Sequence, residues 1–137
     1  EIEERDWSSD VCSSDLLLRR YYMKIFMYRT SGGKDLLKKI SREVKPVVLT
    51  ILLGLQEDGV KNFIVKPIDK NISPTLYEIK KNGVRVFYYI DKYDKSINIT
   101  YITENKQKNK TEQKDKKTAV KREKRMLKNP DIHKEPI

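Results

Sequence analysis

Leu76-Tyr77-Glu78-Ile79-Lys80-Lys81-Asn82-Gly83-Val84-Arg85-Val86-Phe87-Tyr88-Tyr89-Ile90 decides the fold, because two runs rich in β-branched and aromatic residues flank an Asn-Gly pair. Asn and Gly both tolerate φ > 0, as a type I′ turn requires, so the stretch reads as a β-hairpin. A two-residue turn fixes the register. With Lys81 facing Val84, the pairs that follow are Lys80 with Arg85, Ile79 with Val86, Glu78 with Phe87, Tyr77 with Tyr88 and Leu76 with Tyr89. Alternation puts Tyr77, Ile79, Val84, Val86, Tyr88 and Ile90 on one face, patterned as a buried one. Glu78, Lys80, Arg85, Phe87 and Tyr89 share the other. That second face reads either as a solvated surface whose cations balance Glu78 or as one that grips phosphate and stacks bases.

The N-terminus needs separate treatment before composition is used. Asp6-Trp7-Ser8-Ser9-Asp10-Val11-Cys12-Ser13-Ser14-Asp15-Leu16 resembles the translation of a common short-read sequencing adapter, and Glu1 to Arg5 fit its continuation. Residues 1–16 are therefore set aside, Met23 is the expected natural start, and residues 1–22 are expected to be a disordered, non-native leader. The excluded stretch holds one basic and six acidic residues. Taking these from the 30 and 20 of the whole chain raises the net charge from +10 to +15. Cys12 and Trp7 also leave, so no disulfide, thiolate nucleophile or cysteine metal site is expected, and His133 alone makes no metal cluster. No metal and no cofactor are expected. The longest apolar run, Val47 to Leu53, falls short of the ~20 residues a membrane span needs, and a cytoplasmic protein with no membrane partner is expected. A positive charge of this size points to nucleic acid as partner.

Along the chain, Lys24 to Tyr28 reads as a strand, broken by Ser31-Gly32-Gly33. Leu36, Leu37, Ile40 and Val44 recur at helical spacing, and Pro46 fits the first turn of a second helix that Gly59 stops near Asp58. Together these predict an antiparallel helical hairpin. Phe63 to Lys66 is strand-like up to Pro67, and Ile97, Ile99 and Tyr101 alternate with polar residues in a further strand. From Glu104 to Lys128 the chain is dominated by Lys and Arg. Thr111 fits an N-cap, Glu112 a first turn, and Ala119, Val120, Met126 and Leu127 a narrow apolar stripe, which predicts a basic helix. A solvated or disordered charged tail is the plainer alternative. Residues 129–137 are expected to form a loose tail. The fold class is α+β: an N-terminal strand and a helical hairpin packed on a mainly antiparallel sheet of four to five strands, plus the C-terminal basic helix.

Tyr28-Arg29-Thr30-Ser31-Gly32-Gly33-Lys34 ahead of the helical hairpin resembles the opening of RelE/HigB-like toxins of bacterial type II toxin–antitoxin systems, in their phage-derived HigB-like branch. Leu76 to Lys80 followed by Arg85-Val86-Phe87-Tyr88 resembles that family's two strand motifs. Lys108-Asn109-Lys110-Thr111 leading into Ala119 to Leu127 is similar to its Lys-rich loop and terminal helix. The resemblance spans residues 24–128 and implies a RelE-like fold over a domain of residues 23–128. It also implies a metal-independent endoribonuclease, an mRNA interferase that cuts message on the ribosome, inhibits growth, and is neutralised by a cognate antitoxin of helix-turn-helix type.

Such chemistry begins with attack of the RNA 2′-hydroxyl on the adjacent phosphate, so the protein must align RNA, neutralise charge and move protons. The resemblance gives Arg85 the phosphate, which its planar fork suits. Lys80 stands where the family often has a second arginine and is assigned catalysis beside it, with Glu78 orienting or screening the pair. Members often carry a His or Tyr after the last strand. Here His is absent and Tyr101 is the nearest substitute, although alternation equally allows it a place in the core. Phe87, Lys66, Lys106, Lys108 and Lys110 are assigned to RNA binding. A non-catalytic RNA- or DNA-binding module, or an inactive toxin relic, would also account for charge and aromatics.

Overall fold

The computed structural model describes residues 24–104 and 113–137, so the adapter-like leader, Met23, Lys106, Lys108, Lys110, Thr111 and Glu112 lie outside the described residues. The hairpin forms in the expected register: β3 (Tyr77–Lys81) runs antiparallel to β4 (Val84–Ile90), with Lys80 opposite Arg85. Asn82 at φ 50° and Gly83 at φ 80° make the turn. β5 (Ile97–Glu104) pairs antiparallel with β4, and β2 (Val65–Pro67) antiparallel with β3. β1 (Ile25–Tyr28) lies parallel to β5. Among the described residues three α-helices accompany the sheet: α1 (Lys45–Asp58), α2 (Gln113–Lys128) and the single turn α3 (Pro130–His133). Among the described residues no helix is long and apolar enough to cross a membrane.

The α+β class is as expected, but the sheet is wider. β6 (Lys134–Pro136) pairs antiparallel with β1 and completes six strands in the order β2-β3-β4-β5-β1-β6. Residues 129–137 are thus ordered rather than a loose tail, and Arg29 supplies the reason. Its Nε donates to the Ile132 carbonyl at 2.8 Å and its Nη2 to that of Asp131 at 2.9 Å. These are carbonyls at the end of a helical turn, which have no partner within the helix. His133 stacks on Tyr28 with ring centroids 5.4 Å apart, and Lys134 Nζ lies 4.3 Å from the Phe26 ring centroid.

The first arm of the helical hairpin is shorter than its sequence spacing predicts. Leu36–Lys39 form a 3-10 turn, with the Asp35 carboxylate accepting from the Lys38 amide at 3.1 Å, and Ile40 ends it in extended backbone. Leu36, Ile40 and Val44 are nevertheless buried, so the spacing serves successive turns that each drop one side chain into the core. Ser41 Oγ donates to Glu104 Oε1 at 2.5 Å and ties this segment to the end of β5.

α1 carries Pro46 in its first turn and stops at Gly59, whose φ of 64° suits glycine and whose N–H donates to the Leu55 carbonyl at 2.9 Å. Val48, Ile51, Leu52 and Leu55 form its buried stripe and share one core with Ile25, Met27, Ile79, Val86, Ile97 and Ile99. Gly54 leaves room for the Phe63 ring, since a Cβ there would stand 2.9 Å from Phe63 Cζ.

α2 crosses the opposite sheet face through fully buried Ala119 and Met126. The second hairpin face is therefore not the open, solvated surface that alternation suggests: Arg85 and Phe87 are both 0 % exposed. Ile90, at the strand end, is exposed instead of buried.

The position of α1 makes a direct test. Ile51→Ala should lower unfolding free energy by about 2–5 kcal/mol through transfer and cavity terms. Leu49→Ala, on the helix's outer side, should stay within about 0.5 kcal/mol. Urea denaturation of both variants measures the contrast.

Candidate active site

Three ladders bring the sequence-predicted site residues into register. Lys66 pairs with Glu78, Glu78 with Phe87, and Phe87 with Tyr101, so these four form one row across β2, β3, β4 and β5. The next row holds Lys80, Arg85 and Thr103. Opposed residues share a sheet face, so both rows point toward α2. The rows are not uniformly accessible. Lys66 and Lys80 are exposed, Tyr101 is half-buried, and Glu78, Arg85 and Phe87 are buried.

Tyr101 reaches this row because β5 is irregular. The β4–β5 pairing steps from Phe87 opposite Tyr101 to Tyr88 opposite Ile99, leaving Thr100 as the extra residue of a bulge. Thr100 Oγ1 donates to the Phe87 carbonyl at 3.4 Å, and its own carbonyl accepts from Arg122 Nη1 at 3.4 Å. Simple alternation of Ile97, Ile99 and Tyr101 would send all three to the α1 core. The bulge resolves the two readings of Tyr101 by turning it to the α2 side, where its ring stacks on Phe87 at 5.9 Å between centroids.

Arg122 of α2, which sequence reasoning missed, completes the arrangement. Its Cζ stands 4.9 Å from the ring centroids of both Tyr28 and Tyr101, so the guanidinium contacts two aromatic faces. Arg125 Nη1 donates to Tyr28 Oη at 3.1 Å. Burial pushes the pKa of Arg122 down, while the two phenols act in the opposite direction. Its position three residues after Ala119 and four before Met126 places it within the apolar stripe, and that spacing was the available signal.

The two carboxylates of α2 also face inward. Glu123 accepts from Ser73 Oγ at 3.1 Å and from Thr75 Oγ1, which fixes the loop before β3. Asp115 is hydrogen-bonded to Tyr101. Burial raises the pKa of Tyr101 and the Asp115 charge raises it further, against the opposing effects of Thr103 and Arg122. The phenol is thus held as a proton donor at neutral pH.

Beside these groups a cavity of about 280 Å³ opens between the Leu36–Ile40 segment, the end of β5 and α2. Lys39, Tyr101, Thr103, Glu104, Thr118 and Arg122 supply its polar lining. It joins a cation, a phenol and a carboxylate in a space open to solvent. Among the described residues, no three His, Cys, Asp or Glu side chains gather as metal ligands.

The chain matches the family described as phage derived protein Gp49-like (DUF891) over residues 35–124, more than half of its length. That segment takes in the 3-10 turn, α1, the central hairpin, β5 and most of α2. No curated protein and no solved structure matches the chain.

Tyr101 makes the site measurable by pH. Its folded pKa lies above the ordinary 10.0, so its contribution to stability is present below pH 10 and is lost as pH rises through the folded value. The urea midpoint should therefore fall above pH 10, and less steeply in Tyr101→Phe. At neutral pH that variant should lose about 1–3 kcal/mol, because the Asp115 carboxylate forfeits a buried donor.

Proposed function

Because the chain belongs to the phage-derived Gp49-like family, a RelE/HigB-like toxin family whose members imply an antitoxin partner, we propose that it is the toxin of a type II toxin–antitoxin system. On this reading it cuts mRNA on the ribosome as a metal-independent endoribonuclease in the cytoplasm, and an antitoxin of helix-turn-helix type neutralises it. The observation that carries the catalytic part is the cleft in which the protonated Tyr101 and Arg122 meet beside Lys39 and Glu104.

The chemistry follows from these groups. The RNA 2′-oxygen attacks phosphorus and the bond to the 5′-oxygen breaks, leaving a cyclic 2′,3′-phosphate and a 5′-hydroxyl. Arg122 and Lys39 offset the charge that builds on the phosphate. The 2′-proton passes to the Glu104 carboxylate, and Tyr101 gives its proton to the departing 5′-oxygen. Lys80 and Lys66, exposed at the β2–β3 side, hold the RNA backbone, while Glu78 and Phe87 support the row from beneath. Arg85 is fully buried and in this arrangement beyond the reach of RNA. Lys106, Lys108 and Lys110 add their charge to RNA binding.

The burial of Arg85 favours one other reading, a non-catalytic RNA- or DNA-binding module. Inducible expression of the full chain in growing bacteria, with mapping of new mRNA 5′-ends, separates the two. The intact chain should arrest growth and generate cleaved message. Tyr101→Phe should slow cleavage by about 10²–10⁴-fold, as expected for loss of a general acid. A folded intact chain that binds RNA but neither arrests growth nor cuts it sinks the nuclease reading.

A further inference from the structure

The side of α2 turned away from the sheet is organised by charge. Lys114, Lys117, Lys121, Lys124 and Lys128 are all exposed and recur at intervals of three and four residues. At ~100° per residue they fall within an arc of about 80°, opposite the buried stripe of Asp115, Ala119, Glu123 and Met126. From Lys114 to Lys128 the row runs about 21 Å. The helix has two carboxylates, Asp115 and Glu123, and both are buried on the far side, bound to Tyr101 and to Ser73 and Thr75. Among the described residues of α2, no carboxylate therefore stands on the lysine face. Like charges at such spacings oppose helix formation.

We propose that this lysine row is a docking site for the phosphate backbone of a duplex nucleic acid, separate from the cleft at Tyr101. A straight row of point charges about 21 Å long spans on the order of six phosphates of one strand. Lysine ammonium groups contact phosphates as point charges and read no sequence. Single-strand binding proteins combine such charge with aromatic platforms for unpaired bases, and α2 contains no aromatic residue. A cavity of about 380 Å³ among Lys114, Lys117, Thr118 and Lys121 gives the first phosphates a seat. The site does not depend on whether the cleft cleaves RNA, so a failure of either assignment leaves the other standing.

The test uses the full chain and labelled RNA and DNA hairpins, with an unpaired strand of equal length and a poly-glutamate chain of equal charge as competitors. Binding is followed by fluorescence anisotropy across a salt series. Wild type should prefer the hairpins over both competitors. The triple variant Lys117→Gln, Lys121→Gln, Lys124→Gln should bind about tenfold or more weakly at ~0.1 M salt. Its slope of log K against log salt should be shallower by about 2.7, at about 0.9 per lysine removed. Arginine at the same three positions should keep both affinity and slope, which separates loss of charge from loss of folding. The RNA and DNA arms identify which duplex is held. An unchanged slope in the glutamine variant, or equal binding of the unpaired strand or poly-glutamate, overturns the proposal.

Discussion

The extra residue at Thr100 is the constraint from which the two-sidedness of this molecule follows. A strand alternates with period two, so a regular β5 would hold Ile97, Ile99 and Tyr101 on one and the same face. By consuming one residue at the bulge, β5 sends Ile97 and Ile99 to α1 and Tyr101 to α2. The carbonyl of Phe87 is satisfied by the Thr100 hydroxyl, and that of Thr100 by Arg122, so the broken ladder leaves neither oxygen without a donor. The stacking of Tyr101 on Phe87, its contact with Arg122 and its place in the cleft all follow from that shift.

α2 in turn resolves a conflict in its own composition. A helix with so many lysines and arginines would repel itself and lacks a broad apolar face, yet it must cover half of a sheet. It does so by turning inward its small and flexible apolar residues, Ala119 and Met126, together with both carboxylates. Burying a carboxylate costs free energy unless hydrogen bonds replace water, and the Ser73 and Thr75 hydroxyls do so for Glu123. Arg122 is accommodated by laying its planar guanidinium against two rings, which a lysine could not do as well.

The parts of this fold that were legible in the sequence are those with local causes. The Asn82-Gly83 turn fixed register and facing pairs, and Pro46 and Gly59 bracketed α1. The less legible features have distant or disguised causes. β6 depends on Arg29, roughly a hundred positions earlier in the chain, and no pattern near residue 130 announces that partner. A bulge leaves no local mark when the residue it consumes is an ordinary threonine. At the candidate site, the row of Lys66, Glu78, Phe87 and Tyr101 needed three registers, of which only the central one could be read. The inner face of α2 was hidden because Asp115 and Glu123, polar by type, lie on it.

The outermost strands, β2 as Val65-Lys66-Pro67 and β6 as Lys134-Glu135-Pro136, share a design that bears on assembly. Each is three residues long and combines one lysine with one proline. Short length, charge and a missing amide are the means by which sheets resist pairing with another chain. The sheet is thus closed to growth at both borders, and a partner segment has little to gain by joining it as a seventh strand. Recognition of this protein by another chain is thereby directed to its helices and faces, and self-association by strand addition is held down despite a sheet rich in isoleucine, valine and tyrosine.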